Sequence, residues 1–158
     1  MLIALALPLA IAGEVGRAKA QGAQSTKRVD IDGHMSIAIP SGATLSKDPK
    51  AYPDHTFYFV HQADEKILTV IFSMLPPRAV DRGSPLRIGN CPAMVMPAMK
   101  SIRGGKDILV EYQQAPWGRR NVRFSYQDLT PEKAAVAERI VASLHFADAT
   151  ACSGTTAR

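Results

Sequence analysis

Two cysteines, and one tryptophan set among arginines, are the residues of this 158-residue chain whose types most suggest chemistry. Cys91 and Cys152 are far apart in sequence. In an oxidising compartment two such residues are expected to form a disulfide rather than remain free thiols. A nucleophilic Cys91 with a histidine partner is the sharper alternative, but Pro92 follows it and no family signature surrounds it. The second cluster is Trp117-Gly118-Arg119-Arg120, with Arg123 just beyond. Tryptophan and arginine are enriched among interface hot spots, so Trp117, Arg119, Arg120 and Arg123 are the candidate binding residues, a prong for an acidic or aromatic partner. The plainer reading is a turn whose tryptophan folds back over the core while the arginines stay solvated.

Other site chemistries lack their spacing. His34, His55, His61 and His145 are dispersed without a metal-binding pattern. His55 and His61 share one face of a predicted strand but lie about 20 Å apart by strand rise, too far for one metal. There is no G-x-S-x-G elbow, phosphate loop or dinucleotide fingerprint, and Gly104-Gly105 reads as a turn. Asp54, Asp64-Glu65 and Asp81 fall in predicted loops, and a carboxylate pair for glycoside chemistry would meet only in three dimensions. The sequence therefore predicts no catalytic residue, no metal site and no cofactor.

The elements that must position these residues follow from pattern. Val29, Ile31, Met35, Ile37 and Ile39 flank Asp32-Gly33, a hairpin that ends at Pro40. Ser41 to Asp54 reads as a surface loop, and His55 to His61 and Lys66 to Met74 as strands, the second central because it is apolar almost throughout. Leu75 to Pro97 holds five prolines and two glycines, so a long irregular segment is expected there, either a functional loop or a connection pinned by Cys91. Met99 to Arg103, Asp107 to Gln113 and Asn121 to Asp128 form a meander with one face buried and one wet. Thr130-Pro131-Glu132 starts a helix that places Ala134, Ala137, Ile140, Val141 and Leu144 on one side. The predicted fold is α+β: an antiparallel sheet of about six strands with a C-terminal helix packed on it.

Leu2 to Ala12 is an apolar run that ends in Ala10-Ile11-Ala12 and is followed by Ala18-Lys19-Ala20, both of the form a signal peptidase cuts. A run of this length is shorter than the roughly 20 residues that cross a bilayer, so no membrane span is expected after cleavage. Residues 1–20 are read as a signal peptide cut after Ala20 or after Ala12, residues 21–146 as one domain, and 147–158 as a tail tied back by the disulfide. The expected location is periplasmic or secreted. Nineteen basic against fourteen acidic residues give a net charge of +5. The basic residues are spread along the chain with no tract and no interleaved aromatics, which argues against nucleic acid as a partner.

The order of elements, and the ending Ile140-Val141-Ala142-Ser143-Leu144-His145-Phe146, resemble the PsbP-like superfamily of small α/β sandwiches, whose last helix commonly closes on Ser-Leu, one residue and Phe. Ile37-Ala38-Ile39-Pro40 is similar to the family's opening strand, whereas Ser41-Gly42-Ala43 lacks the tryptophan that often follows the glycine. The resemblance implies a PsbP-like sandwich and an accessory or binding role without catalysis. The expected function is an exported, non-enzymatic binding or accessory protein of the cell envelope, of immunity type or otherwise, with an envelope protein or a small ligand as partner. The alternative is a periplasmic hydrolase whose site assembles from scattered residues.

Overall fold

The computed structural model describes residues 25–50, 52–73, 84–89, 91–96, 105–114, 116 and 118–152. Ten strands and one helix lie among them: β1 (Thr26–Ile31), β2 (Met35–Pro40), β3 (Ala43–Lys47), β4 (His55–Gln62), β5 (Glu65–Ser73), β6 (Ser84–Ile88), β7 (Cys91–Val95), β8 (Lys106–Gln114), β9 (Gly118–Tyr126), α1 (Pro131–Ala142) and β10 (His145–Phe146). They form a three-stranded sheet, β1-β2-β10, and a seven-stranded sheet in the order β3-β4-β5-β9-β8-β7-β6. Every pairing is antiparallel.

This overturns the α+β expectation of about six strands in one sheet: the described fold is mostly β, with two sheets and a single helix. Three strands account for much of the difference. β3 occupies the stretch read as a loop, where Thr44 and Leu45 favour extended backbone between Gly42 and Pro49. β6 and β7 run through the proline-rich stretch. Pro85 sits on the outermost strand, and Pro92 precedes the first β7 residue paired with β8, so neither position removes a bond that β8 needs. The predicted strand Met99–Arg103 lies outside the described residues, as do the proposed signal peptide and residues 75–83, 90 and 97 of the proline-rich stretch.

The hairpin of β1 and β2 forms as its sequence dictates. Asp32 (φ 54°) and Gly33 (φ 69°) occupy the left-handed positions of a tight turn, and the Asp30 carboxylate accepts from the Gly33 amide at 2.7 Å. Met35, Ile37 and Ile39 on one side of β2 are buried against the inner face of the large sheet, where Tyr58, Val60, Val70, Val110, Val122 and Phe124 meet them. α1 adds Ala137, Ile140 and Val141 to the same core, with Leu144 and Phe146 just beyond it. The side chain of Thr130 caps α1 by accepting from the Lys133 amide, and Pro131 opens the first turn. At the other end, Ser143 Oγ accepts from the Ala38 amide at 2.7 Å and donates to the Ile140 carbonyl at 2.6 Å, which fastens the helix end to β2.

The hairpin tip is latched to the large sheet by Tyr58, whose hydroxyl donates to Asp32 Oδ1 at 2.5 Å while Lys47 reaches the same oxygen at 3.4 Å. Burial first, then the Asp32 carboxylate, raise the Tyr58 hydroxyl well above its ordinary value of 10. Burial raises Tyr112 to about 12, and burial followed by Glu138 raises Tyr126. These shifts favour the neutral phenols of the folded state. Their contribution is complete below pH 10, the unfolded value, and is lost as pH climbs through 12 and above. The melting temperature is expected to fall steeply above pH 10, together with the rise in phenolate absorbance. In Tyr58→Phe, stability near pH 7 should drop by about 1.5–3 kcal/mol, as for a hydrogen bond to a charged group, and the alkaline decline should be shallower. An unchanged alkaline slope in that variant would remove Tyr58 from the latch.

Candidate binding cleft

Of the expected prong, the three described residues Arg119, Arg120 and Arg123 do not form one patch. Arg119 and Arg123 project from the outer face of the large sheet, opposite Gln113 and Leu109. Arg120 lies opposite Tyr112 on the inner side, where its charge acts on the Tyr112 hydroxyl. Trp117 lies outside the described residues. Arg123 is committed to Asp107: its Nε donates to Oδ1 at 2.5 Å and its Nη2 to Oδ2. That bidentate contact holds the Arg123 guanidinium above its usual range. Arg119 lies 3.9 Å from Glu111.

The outer face of β8 and β9 is also less wet than alternation predicts, since Asp107, Leu109 and Asn121 are all buried. For Asp107 the reason is the arginine laid against it from the neighbouring strand. Cys91 and Cys152 are bonded, with Cα atoms 4.8 Å apart, within the usual span. The bridge carries residues 147–152 back against β8, where the Gln113 amide donates to the Ala151 carbonyl at 2.7 Å.

A concave feature of the described surface lies elsewhere. A cleft of about 940 Å³ runs along α1, with the outer side of the small sheet as its second wall and the β4–β5 turn closing its end. A volume of this size suits a small ligand. Helical spacing supplies one wall: Glu132, Ala135, Val136, Arg139, Ile140 and Ser143 fall on a single stripe at steps of three and four. Strand alternation supplies the other. Because Ile37 and Ile39 point into the core, Ala38 faces outward beside Thr26 and Pro40. The end is formed by Gln62, Ala63 and Glu65.

The turn at that end holds an alanine in a conformation alanine does not favour. Ala63 (φ 47°) and Asp64 (φ 63°) both sit in the left-handed region, where alanine is costly. Lys133 on α1 pairs with Glu65 across the cleft end, tying the turn to the helix. Lys133 and Glu65 neutralise each other. At the opposite end Arg28 donates to the Ser143 carbonyl at 3.3 Å and to Ser36 Oγ at 3.0 Å. Among the described residues Glu132 and Arg139 have no ion pair across the cleft. Glu132 is held below its ordinary value by its own backbone amide and by Thr130, so it remains a carboxylate.

The cleft went unread in the sequence because its helical stripe is mixed. Val136 and Ile140 at a spacing of four, between Glu132 and Arg139, were the available signal. The contribution of Gln62–Glu65 had none, since it depends on where a turn between two strands meets a helix some seventy residues later.

No group of three or more histidine, cysteine, aspartate or glutamate side chains is placed to hold a metal among the described residues. No helix there is long and apolar enough to cross a membrane. Comparison with protein-family models and with curated proteins finds no match for this chain.

Proposed function

We propose that this chain is an exported, non-enzymatic binding protein of the cell envelope whose ligand occupies the cleft between α1 and the small sheet. The observation that carries the reading is the cleft itself: apolar along its floor at Ala38, Ala135 and Val136, charged at both ends, and walled by three elements fixed to one another. The bonded cysteines support an oxidising compartment, and the apolar run at Leu2–Ala12 supports export. The Ile140–Phe146 ending, similar to that of the PsbP-like superfamily, favours an accessory role.

Nuclear magnetic resonance titration of the isotope-labelled protein with a mixed library of peptides, sugars and organic acids tests the site. Shifted amides are expected along Ala135–Ser143 and at Gln62–Glu65. Ala135→Trp, at an exposed helix position, should fill the cleft and weaken any such ligand at least tenfold without lowering the melting temperature. Shifts confined to other surfaces would reject the cleft. Sequencing the N-terminus of protein from the periplasmic fraction should find Gln21 or Gly13, and uncleaved chain in the cytosol would reject export.

A further inference from the structure

We infer that the ligand class of the cleft is a short zwitterionic peptide of about three residues, bound with its amino end towards Glu132 and its carboxylate towards Arg139. This rests on the cleft being a binding site, and it adds chemistry, length and direction.

Charge placement gives the direction. Both Glu132 and Arg139 line the cleft on the exposed side of α1, and Lys133 and Glu65 are already spent on each other. The negative end therefore has Glu132 to offer. The positive end has Arg139, with Arg28 behind it at the Ser143 carbonyl. A ligand with one charge would satisfy one end and leave the other idle. A ligand with opposite charges in the reverse order would meet repulsion at both.

Helix geometry gives the length. Glu132 and Arg139 are seven positions apart, a rise of about 10 Å at 1.5 Å per residue. An extended chain covers about 3.3–3.6 Å per residue, so three residues place a terminal amine and a terminal carboxylate about 10 Å apart. A single amino acid is too short to reach both ends. Longer peptides must bulge or move one terminus outside.

The floor sets the side-chain class. Val136, Ala135 and Ala38 offer a shallow apolar surface between the charged ends, which accepts small side chains such as alanine and gives large ones little to fill. The Ser143 hydroxyl is already bonded to Ala38 and Ile140, so selectivity falls mainly to the two charged ends.

Calorimetric titration of the whole mature protein with trialanine, N-acetyl-trialanine, trialanine amide, free alanine and hexaalanine tests this directly. Trialanine should bind, and blocking either terminus should weaken binding at least tenfold. Arg139→Gln should make trialanine and its amide bind alike while the penalty for acetylation persists. Glu132→Gln should do the reverse. Both residues are exposed, so Arg139→Gln should keep the native melting temperature and Glu132→Gln should lower it only slightly, through loss of a first-turn carboxylate. Absence of trialanine binding, equal binding of the free and blocked peptides, or equal binding of free alanine would overturn the inference. If the library still shifts the cleft amides and Ala135→Trp still abolishes that, the cleft stands as a site for another ligand class; if no ligand shifts them, the site reading falls as well.

Discussion

Cys152→Ser is expected to lower the stability of the protein by roughly 4 kcal/mol, the entropy that a cross-link spanning a loop of this size removes from the unfolded chain. Sixty-one positions separate Cys91 from Cys152, and the bridge joins the first residue of β7 to the segment that follows β10. Its loss acts on both states. The unfolded chain expands, so the dependence of unfolding free energy on urea should steepen. In the folded state, residues 147–152 keep the Gln113–Ala151 hydrogen bond and the buried Ala151 side chain, with nothing covalent behind them. Urea unfolding of the oxidised protein, Cys152→Ser and Cys91→Ser decides the matter, and the two variants should agree. A loss under about 1 kcal/mol in both would mean that the tail is held by its own contacts and that the bridge adds little.

Where one local rule was enough, the fold was legible in sequence. Asp32-Gly33 marked a hairpin because few other residues accept two successive left-handed positions. Thr130-Pro131-Glu132 marked the start of α1 through cap, ring and charge together. The cysteine pair followed from its even number. The errors share a cause. Pro85 and Pro92 look like breakers in sequence, but a proline breaks only a strand whose amide has a partner waiting at that position. β3 was lost because its five residues, flanked by glycine and proline, look like a loop until β4 supplies the other half of the ladder. The division into two sheets was hidden for the same reason: β10 is two residues long and exists because Ser143 and Phe146 bring it against β2. The cleft is the furthest from sequence, a surface made from three elements whose outward residues are individually ordinary.

Arg123→Ala is expected to cost about 3 kcal/mol, and the reason separates this arginine from its neighbours Arg119 and Arg120. Asp107 is 3% exposed and lies on the central part of a seven-stranded sheet, with both its carboxylate oxygens bonded to the Arg123 guanidinium. Removing one member of a buried pair leaves the other as an unpaired charge, which typically costs 3–5 kcal/mol. The lower end applies because the Arg123 side chain is itself 40% exposed, so water can reach part of the carboxylate once the arginine is gone. Arg119 differs. Its pairing with Glu111 spans 3.9 Å with half the arginine in solvent, and Arg119→Ala should change stability by less than about 1 kcal/mol. Replacing both Asp107 and Arg123 by leucine should recover most of the loss, since no charge then remains to be solvated. Thermal and urea unfolding of the single and double variants give the coupling directly. A prong that binds a partner requires the opposite pattern, with Arg123→Ala leaving stability intact and abolishing capture of that partner. If stability falls in Arg123→Ala and returns in the double variant, Arg123 is a structural residue of the sheet, and any prong at this hairpin must work through Trp117, Arg119 and Arg120 alone.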